Sequence, residues 1–245
     1  MGRVIAITSG KGGVGKTTLT CVLAEGLSRL SRSVVAVDGD MGLRNLDLAF
    51  GVQSEIVYDL ADVIEGRCPL DKALVKTGSG AMYLAAPNKE LTKEGLEAFR
   101  YMLAALKEHF DYVLIDCGAG IGDSVLRVAL SAGEAIVVTT PTETALRDGE
   151  RMAAKLRAGG MRQMKLVINR VNVKLIERGR APDVDKTIDQ LAVPLLGLVP
   201  EEPAIVALQN EGKSIFDSNL KKTAIQIADI CMRLCGAWVP LRRIR

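Results

Sequence analysis

The chain is poor in aromatic residues, with one tryptophan, four tyrosines and four phenylalanines in 245 positions. A protein that stacks the bases of single-stranded nucleic acid needs more ring faces than this. Charge of one sign is also scarce. A formal net charge of +3 supplies no broad basic field, so composition argues against nucleic acid as a partner. Histidine occurs once, at His109, with no second imidazole to share a metal; it reads as a surface residue at a helix end. The five cysteines, Cys21, Cys68, Cys117, Cys231 and Cys235, are odd in number and form no CxxC pair. That pattern excludes a disulfide framework or structural zinc site and leaves them as small apolar packing residues. No apolar run approaches the ~18 residues of a bilayer span. The first residues enter a strand pattern without a signal-peptide profile. The expected location is cytoplasmic, with at most a peripheral contact to the inner face of the cell membrane.

What the chain does have is material for a core. At 48% hydrophobic and 25% charged, it fits one large α/β domain better than two small ones. Short, nearly continuous apolar runs such as VIAI, VVAV, YVLID, AIVV and KLVIN predict strands over 4–8, 33–38, 82–85, 112–116, 135–139, 165–169 and 194–198. Strands of that kind suit a sheet covered on both faces. Helical patterns begin near Lys16, Thr92, Ile121, Thr144, Asp183 and Pro203, with a last one over about 220–234. The alternation predicts a three-layer, doubly wound, mostly parallel sheet in a domain over 1–235, followed by a basic tail at 236–245. In such sheets ligands gather beyond the carboxyl ends of the strands.

The first strand is followed by GKGGVGKTT, residues 10–18. It satisfies the phosphate-loop pattern G-x-x-x-x-G-K-[ST] between a strand and a helix. Gly10, Gly12, Gly13 and Gly15 free the backbone to turn its N–H groups inward, with Lys11 and Val14 between them and Thr18 after. The helix beginning at Lys16 adds its partly positive end. Lys16 is placed to reach the β and γ phosphates of ATP, or the β phosphate of ADP, and the Thr17 hydroxyl to ligate Mg²⁺. Together these predict a P-loop NTPase fold. Carboxylates stand at two strand ends. Asp38 and Asp40 lie two apart in VDGD, and Asp116 closes YVLID in the Walker B position. Carboxylates beside a phosphate site suit metal and water management. For Asp38 the alternative is a cap on the strand-to-helix turn.

Lys11 is a second lysine where ordinary P-loops tolerate anything, and K-G-G-x-G-K-T resembles the deviant Walker A motif of the MinD/ParA family. The runs GLRNLD (42–47), IVYDLADVIEGRCPLDKALVK (56–76), VVTTPTETALRDGER (137–151) and LLGLVPEEPAI (195–205) are similar to its septum-site-determining group. The likeness runs to about residue 220. It implies an ATP-dependent homodimer in which Lys11 reaches the partner's phosphates. It also implies that Asp40 positions the attacking water while Asp38 helps organise the magnesium shell. By the same resemblance Asn169, with Arg170 beside it, reads the adenine edge, and Pro200 and Glu201 line the base and ribose. The function implied is an ATP-hydrolysing switch in division-site placement, with regulators of the MinC and MinE type; Arg147 and Asp148 are candidate contacts for them. Where the group usually has D-x-P-A-G after the Walker B carboxylate, this chain has Gly118 in place of proline.

The resemblance fades at the C-terminus. CMRLCGAWVPLRRIR (231–245) sets Trp238, Leu241 and Ile244 at helical spacing beside Arg242, Arg243 and Arg245. This composition suits an anionic bilayer surface, whereas Pro240 interrupts a continuous helix; a packed terminus is the competing expectation. A flagellar-number or ParA-type partitioning ATPase is the alternative function. A metabolic P-loop enzyme would need a reactive group near Asp116, for which only Cys117 is available.

Overall fold

The computed structural model describes residues 2–41 and 43–244. Met1, Gly42 of GLRNLD and Arg245 of the tail lie outside the described residues. The elements run β1 (Arg3–Thr8), α1 (Lys16–Arg29), β2 (Val34–Gly39), α2 (Leu46–Phe50), α3 (Leu60–Ile64), α4 (Leu70–Ala73), β3 (Leu74–Lys76), β4 (Met82–Leu84), α5 (Lys93–His109) and β5 (Tyr112–Cys117). They continue with α6 (Asp123–Ala129), β6 (Glu134–Thr139), α7 (Glu143–Ala158), β7 (Gln163–Val171), α8 (Val173–Glu177), α9 (Val184–Leu191), β8 (Leu195–Pro200), α10 (Ala204–Asn210) and α11 (Lys221–Leu234). The eight strands form one sheet in the order β3-β4-β2-β5-β1-β6-β7-β8. All neighbours are parallel except β3 and β4.

Every expected strand is present within a few residues of its predicted span. The antiparallel edge strand β3 and the short helices α2, α3, α4 and α8 are additions. Strand alternation divides the interior into two cores. Val4 and Ala6 face one core with α5, α6 and α7, whereas Ile5 and Ile7 face the other with α1 and α11. The sheet is therefore covered on both faces, which is why its strands read as unbroken apolar runs.

Side chains cap some of the helix starts. Thr92 accepts the Gly95 N–H at 3.1 Å at the head of α5, and Asp183 accepts the Lys186 N–H at 2.7 Å at the head of α9. Helix α1 differs. Its cap is Gly15 at φ 92°, without a side-chain cap and without an acidic residue in its first turn. His109 ends α5 on the surface. Four of the cysteines are buried, Cys235 is partly so, and all are free thiols.

Candidate active site

β1 delivers the chain into the glycine loop at the carboxyl edge of the sheet. Gly13 and Gly15 sit at φ 77° and 92°, a region that side chains disfavour. Gly10 is required for a different reason. A Cβ there would fall 1.8 Å from the Asp148 carbonyl oxygen, so the loop begins in backbone contact with α7. The buried Ser9 hydroxyl donates to the Lys11 carbonyl at 2.7 Å and fixes the turn. Among the described residues, the N–H groups of Gly12 through Thr18 find no protein acceptor. Consecutive donors at an uncapped helix start form a receptor for phosphate oxygens.

The two lysines diverge. Lys16 is 7% exposed and buried within its own loop, close enough to Asp40 and Asp116 for its charge to pull both carboxyls down. Lys11 is exposed and turns away, donating from Nζ to the Thr144 hydroxyl in the first turn of α7 at 2.8 Å.

The carboxylates are brought together by sheet register, which sets Asp38 beside Asp116 across β2 and β5. Burial first, and then the charge of Asp116, pushes Asp38 up to about 7. Burial pushes Asp116 up to about 6 against the opposing pull of the Thr17 hydroxyl, Lys16 and Thr20. Burial also raises Asp40, although Lys16 opposes it. This carboxylate group is short of positive charge, so a divalent cation fits its electrostatics. Among the described residues no three His, Cys, Asp or Glu side chains form a ready cage. An ion held by Thr17 and Asp116 would complete its shell with phosphate oxygens and water, as Mg²⁺ prefers.

Asp38 has a specific local task. Its Oδ1 accepts the Asp40 N–H at 3.0 Å and its Oδ2 the Leu46 N–H at 3.2 Å. It thereby ties down the loop carrying Asp40. The sequence offered this capping role as the alternative to metal binding.

On the far side of the loop, Gly15, Thr18, Asn169, Arg170, Pro200 and Glu201 line one cavity of 350 Å³. Asn169 Nδ2 donates to the Val14 carbonyl at 2.8 Å, while its Oδ1 accepts the Arg170 N–H at 2.9 Å. Residues that the sequence separates by more than 150 positions thus share one wall beside the phosphate loop. Sequence reasoning missed several supports. The Thr20 hydroxyl lies 3.2 Å from Asp116 Oδ1, and Asn172 Nδ2 donates to Glu201 Oε2 at 2.8 Å. Thr20 was visible as a polar residue one turn beyond Lys16 on an otherwise buried helix; Ser9, Thr144 and Asn172 had no distinguishing signal. Cys117 is 1% exposed and burial raises its thiol strongly, which removes the nucleophile that a metabolic enzyme would have needed.

A family model described as "ParA: NUBPL iron-transfer P-loop NTPase" matches residues 1–235. The septum site-determining protein MinD of Bacillus subtilis (strain 168) is 40% identical over 247 residues, spanning 99% of this chain and 92% of that protein. The chain belongs to the MinD/ParA family. Within it, the MinD of the Aquifex aeolicus MinC:MinD complex superposes with a TM-score of 0.91 at 36% identity, covering 98% of this chain and 99% of that one. MinD of Pyrococcus horikoshii OT3, complexed with Mg-ADP, gives a TM-score of 0.82 at 30% identity over 96% of each chain. The chain is accordingly a P-loop ATPase using adenine nucleotide and Mg²⁺, and its orphan donors and carboxylates are arranged for both.

Proposed function

We propose that this protein is an ATP-driven dimerisation switch in division-site placement. In this reading ATP draws two copies together across their glycine loops, the pair engages division regulators and an anionic membrane, and hydrolysis releases them. The observation that carries it is the divergence of the two lysines. Lys16 lies buried in its own pocket, whereas Lys11 extends outward to Thr144, from where a second subunit's phosphates are the fitting target. A cation delivered from outside stabilises charge on the transferring phosphoryl group as an arginine finger does.

The residues divide the work. The Gly12 to Thr18 amides and Lys16 grip the triphosphate, while Thr17 and Asp116 would hold the metal. The chemistry Mg²⁺ would supply when bound is neutralisation of phosphate charge. Asp38 fixes the loop that presents Asp40, and Asp40 orients water in line with the γ-phosphorus. Asn169, Pro200 and Glu201 receive the base and ribose. The α7 surface with Arg147 and Asp148 adjoins Gly10 and Lys11, which makes it a fitting place for a regulator of the MinC or MinE type to sense nucleotide state. The name of the Aquifex complex supports the first of these partners.

Light scattering with Mg·ATP, Mg·ADP and no nucleotide tests the reading. The expected result is a doubled mass with Mg·ATP alone, lost on chelation of the metal. Lys16→Ala should stay monomeric. Asp40→Ala should still dimerise but turn over roughly 100-fold more slowly, the scale of a lost general base. Normal hydrolysis by Asp40→Ala would refute its assigned role.

A further inference from the structure

The segment after α11 is tied down along its length. Residues 237–244 form no regular element, yet they run back along the helix that precedes them. Arg233 Nε donates to the Val239 carbonyl and Nη2 to the Pro240 carbonyl, both at 2.9 Å, and Nη1 donates to Leu196 on β8 at 3.0 Å. Gln226 Nε2 donates to the Arg242 carbonyl at 3.5 Å. Arg242 Nε meets Asp229 Oδ2 at 2.5 Å, with Nη2 3.4 Å from Oδ1. Asp229 is only 1% exposed, and among the described residues its ion-pair partner is Arg242.

The apolar residues of the strap are not equally engaged. Ile244 packs on the core, but Trp238 is 89% exposed and Leu241 52% exposed, with Ile225 of α11 at 45%. The expected helical stripe is therefore split between interior and solvent. Lys222, Arg242 and Arg243 line one cleft with Ile225 and Ile244, and Glu201 and Glu202 line it too.

We propose that the Asp229–Arg242 ion pair is a latch, and that Arg242 exchanges the Asp229 carboxylate for lipid phosphate when the tail meets an anionic bilayer. This rests on the membrane reading above. A carboxylate and a phosphodiester present the same paired oxygens to a guanidinium fork, so one side chain serves both. Leaving Asp229 buried without its cation is unfavourable, so exchange needs a dense array of anions rather than water. The exposed indole and Leu241 are placed to enter the interface once the strap lifts. Two tails in a dimer then act together.

The test compares wild type, Asp229→Asn and Arg242→Gln by trypsin cleavage of the tail, followed by intact mass. Pelleting with phosphatidylglycerol or pure phosphatidylcholine vesicles is measured on the same proteins, with and without ATP. Trp238 is the only tryptophan, and its emission reports insertion. Asp229→Asn should be cleaved several-fold faster and pelleted several-fold more, on anionic vesicles only, with ATP turnover unchanged. Arg242→Gln should also be cleaved faster, at Arg243, but without the gain in pelleting, because the exchanged group is gone. Asp229→Asn removes the buried charge instead of stranding it, so it keeps the latch testable should Arg242→Gln lose stability. Cleavage of both variants at the wild-type rate overturns the latch and leaves the membrane reading standing. Faster cleavage with no pelleting of any protein overturns the membrane reading and the lipid exchange with it.

Discussion

A single hydrogen at position 118 sets the room available to Asp40. A Cβ built on Gly118 would lie 2.9 Å from Asp40 Oδ1 and 3.3 Å from a Val125 methyl. In the sequence this glycine stood out only as a departure from the proline usual in the MinD group. The structure gives it a concrete neighbour: the carboxylate assigned to water. Gly118→Ala should push that carboxylate aside and lower kcat several-fold. The nucleotide donors of the glycine loop are untouched, so affinity measured by calorimetry should hold. An unchanged kcat would mean that Asp40 does not depend on this space. Much of the site was legible at this scale because glycine, lysine and carboxylate spacings are local. The supporting Thr144 hydroxyl and Asn172 amide were not, because their partners are distant in the chain and only folding brings them near.

At the scale of elements, long and strongly patterned segments were readable and short ones were not. Helices α5, α7 and α11 each carry well over three turns of amphipathic pattern, enough for the period to show. Helices of four or five residues such as α2 and α4 hold barely one turn. β3 has three residues, too few for alternation to register; it forms because β4 offers it an edge. Helix packing also overrides propensity. Gly26 lies inside α1, where alanine would be favoured by about 1 kcal/mol. A Cβ there, however, would come within 2.7 Å of Cys231 Sγ and 3.0 Å of the Phe216 ring. Cys231 is fully buried in α11, and overpacking of this kind costs about 1–3 kcal/mol. The clash should win. Gly26→Ala is expected to lower stability by roughly 1 kcal/mol in urea denaturation, and a stabilised variant would show that α1 and α11 are less closely packed than this.

At the scale of the molecule, the carboxyl edge of the sheet bears the exposed groups that the proposed dimer would use. Lys11 stands at the surface there, and in the neighbouring loop and α2, Leu43 is 69% and Leu48 52% exposed. Exposed leucines and an outward-facing lysine are features that a second copy would cover. If the lysine serves the other subunit, its loss and the loss of Asp40 fall on different sites of a mixed dimer. Lys11→Ala alone should bind nucleotide normally, since its side chain is exposed and outside its own pocket. Its turnover should fall by roughly 10³, the lower range for a missing arginine finger. Asp40→Ala alone is expected to be slowed as well, by roughly 100-fold. Mixed with an excess of Asp40→Ala, the Lys11→Ala subunit keeps its own Asp40 and borrows its partner's lysine, so ATP hydrolysis should rise above the sum of the two slowed proteins. A lysine acting on its own phosphates would leave every subunit in that mixture lacking one group, and phosphate release would stay at that sum at every mixing ratio.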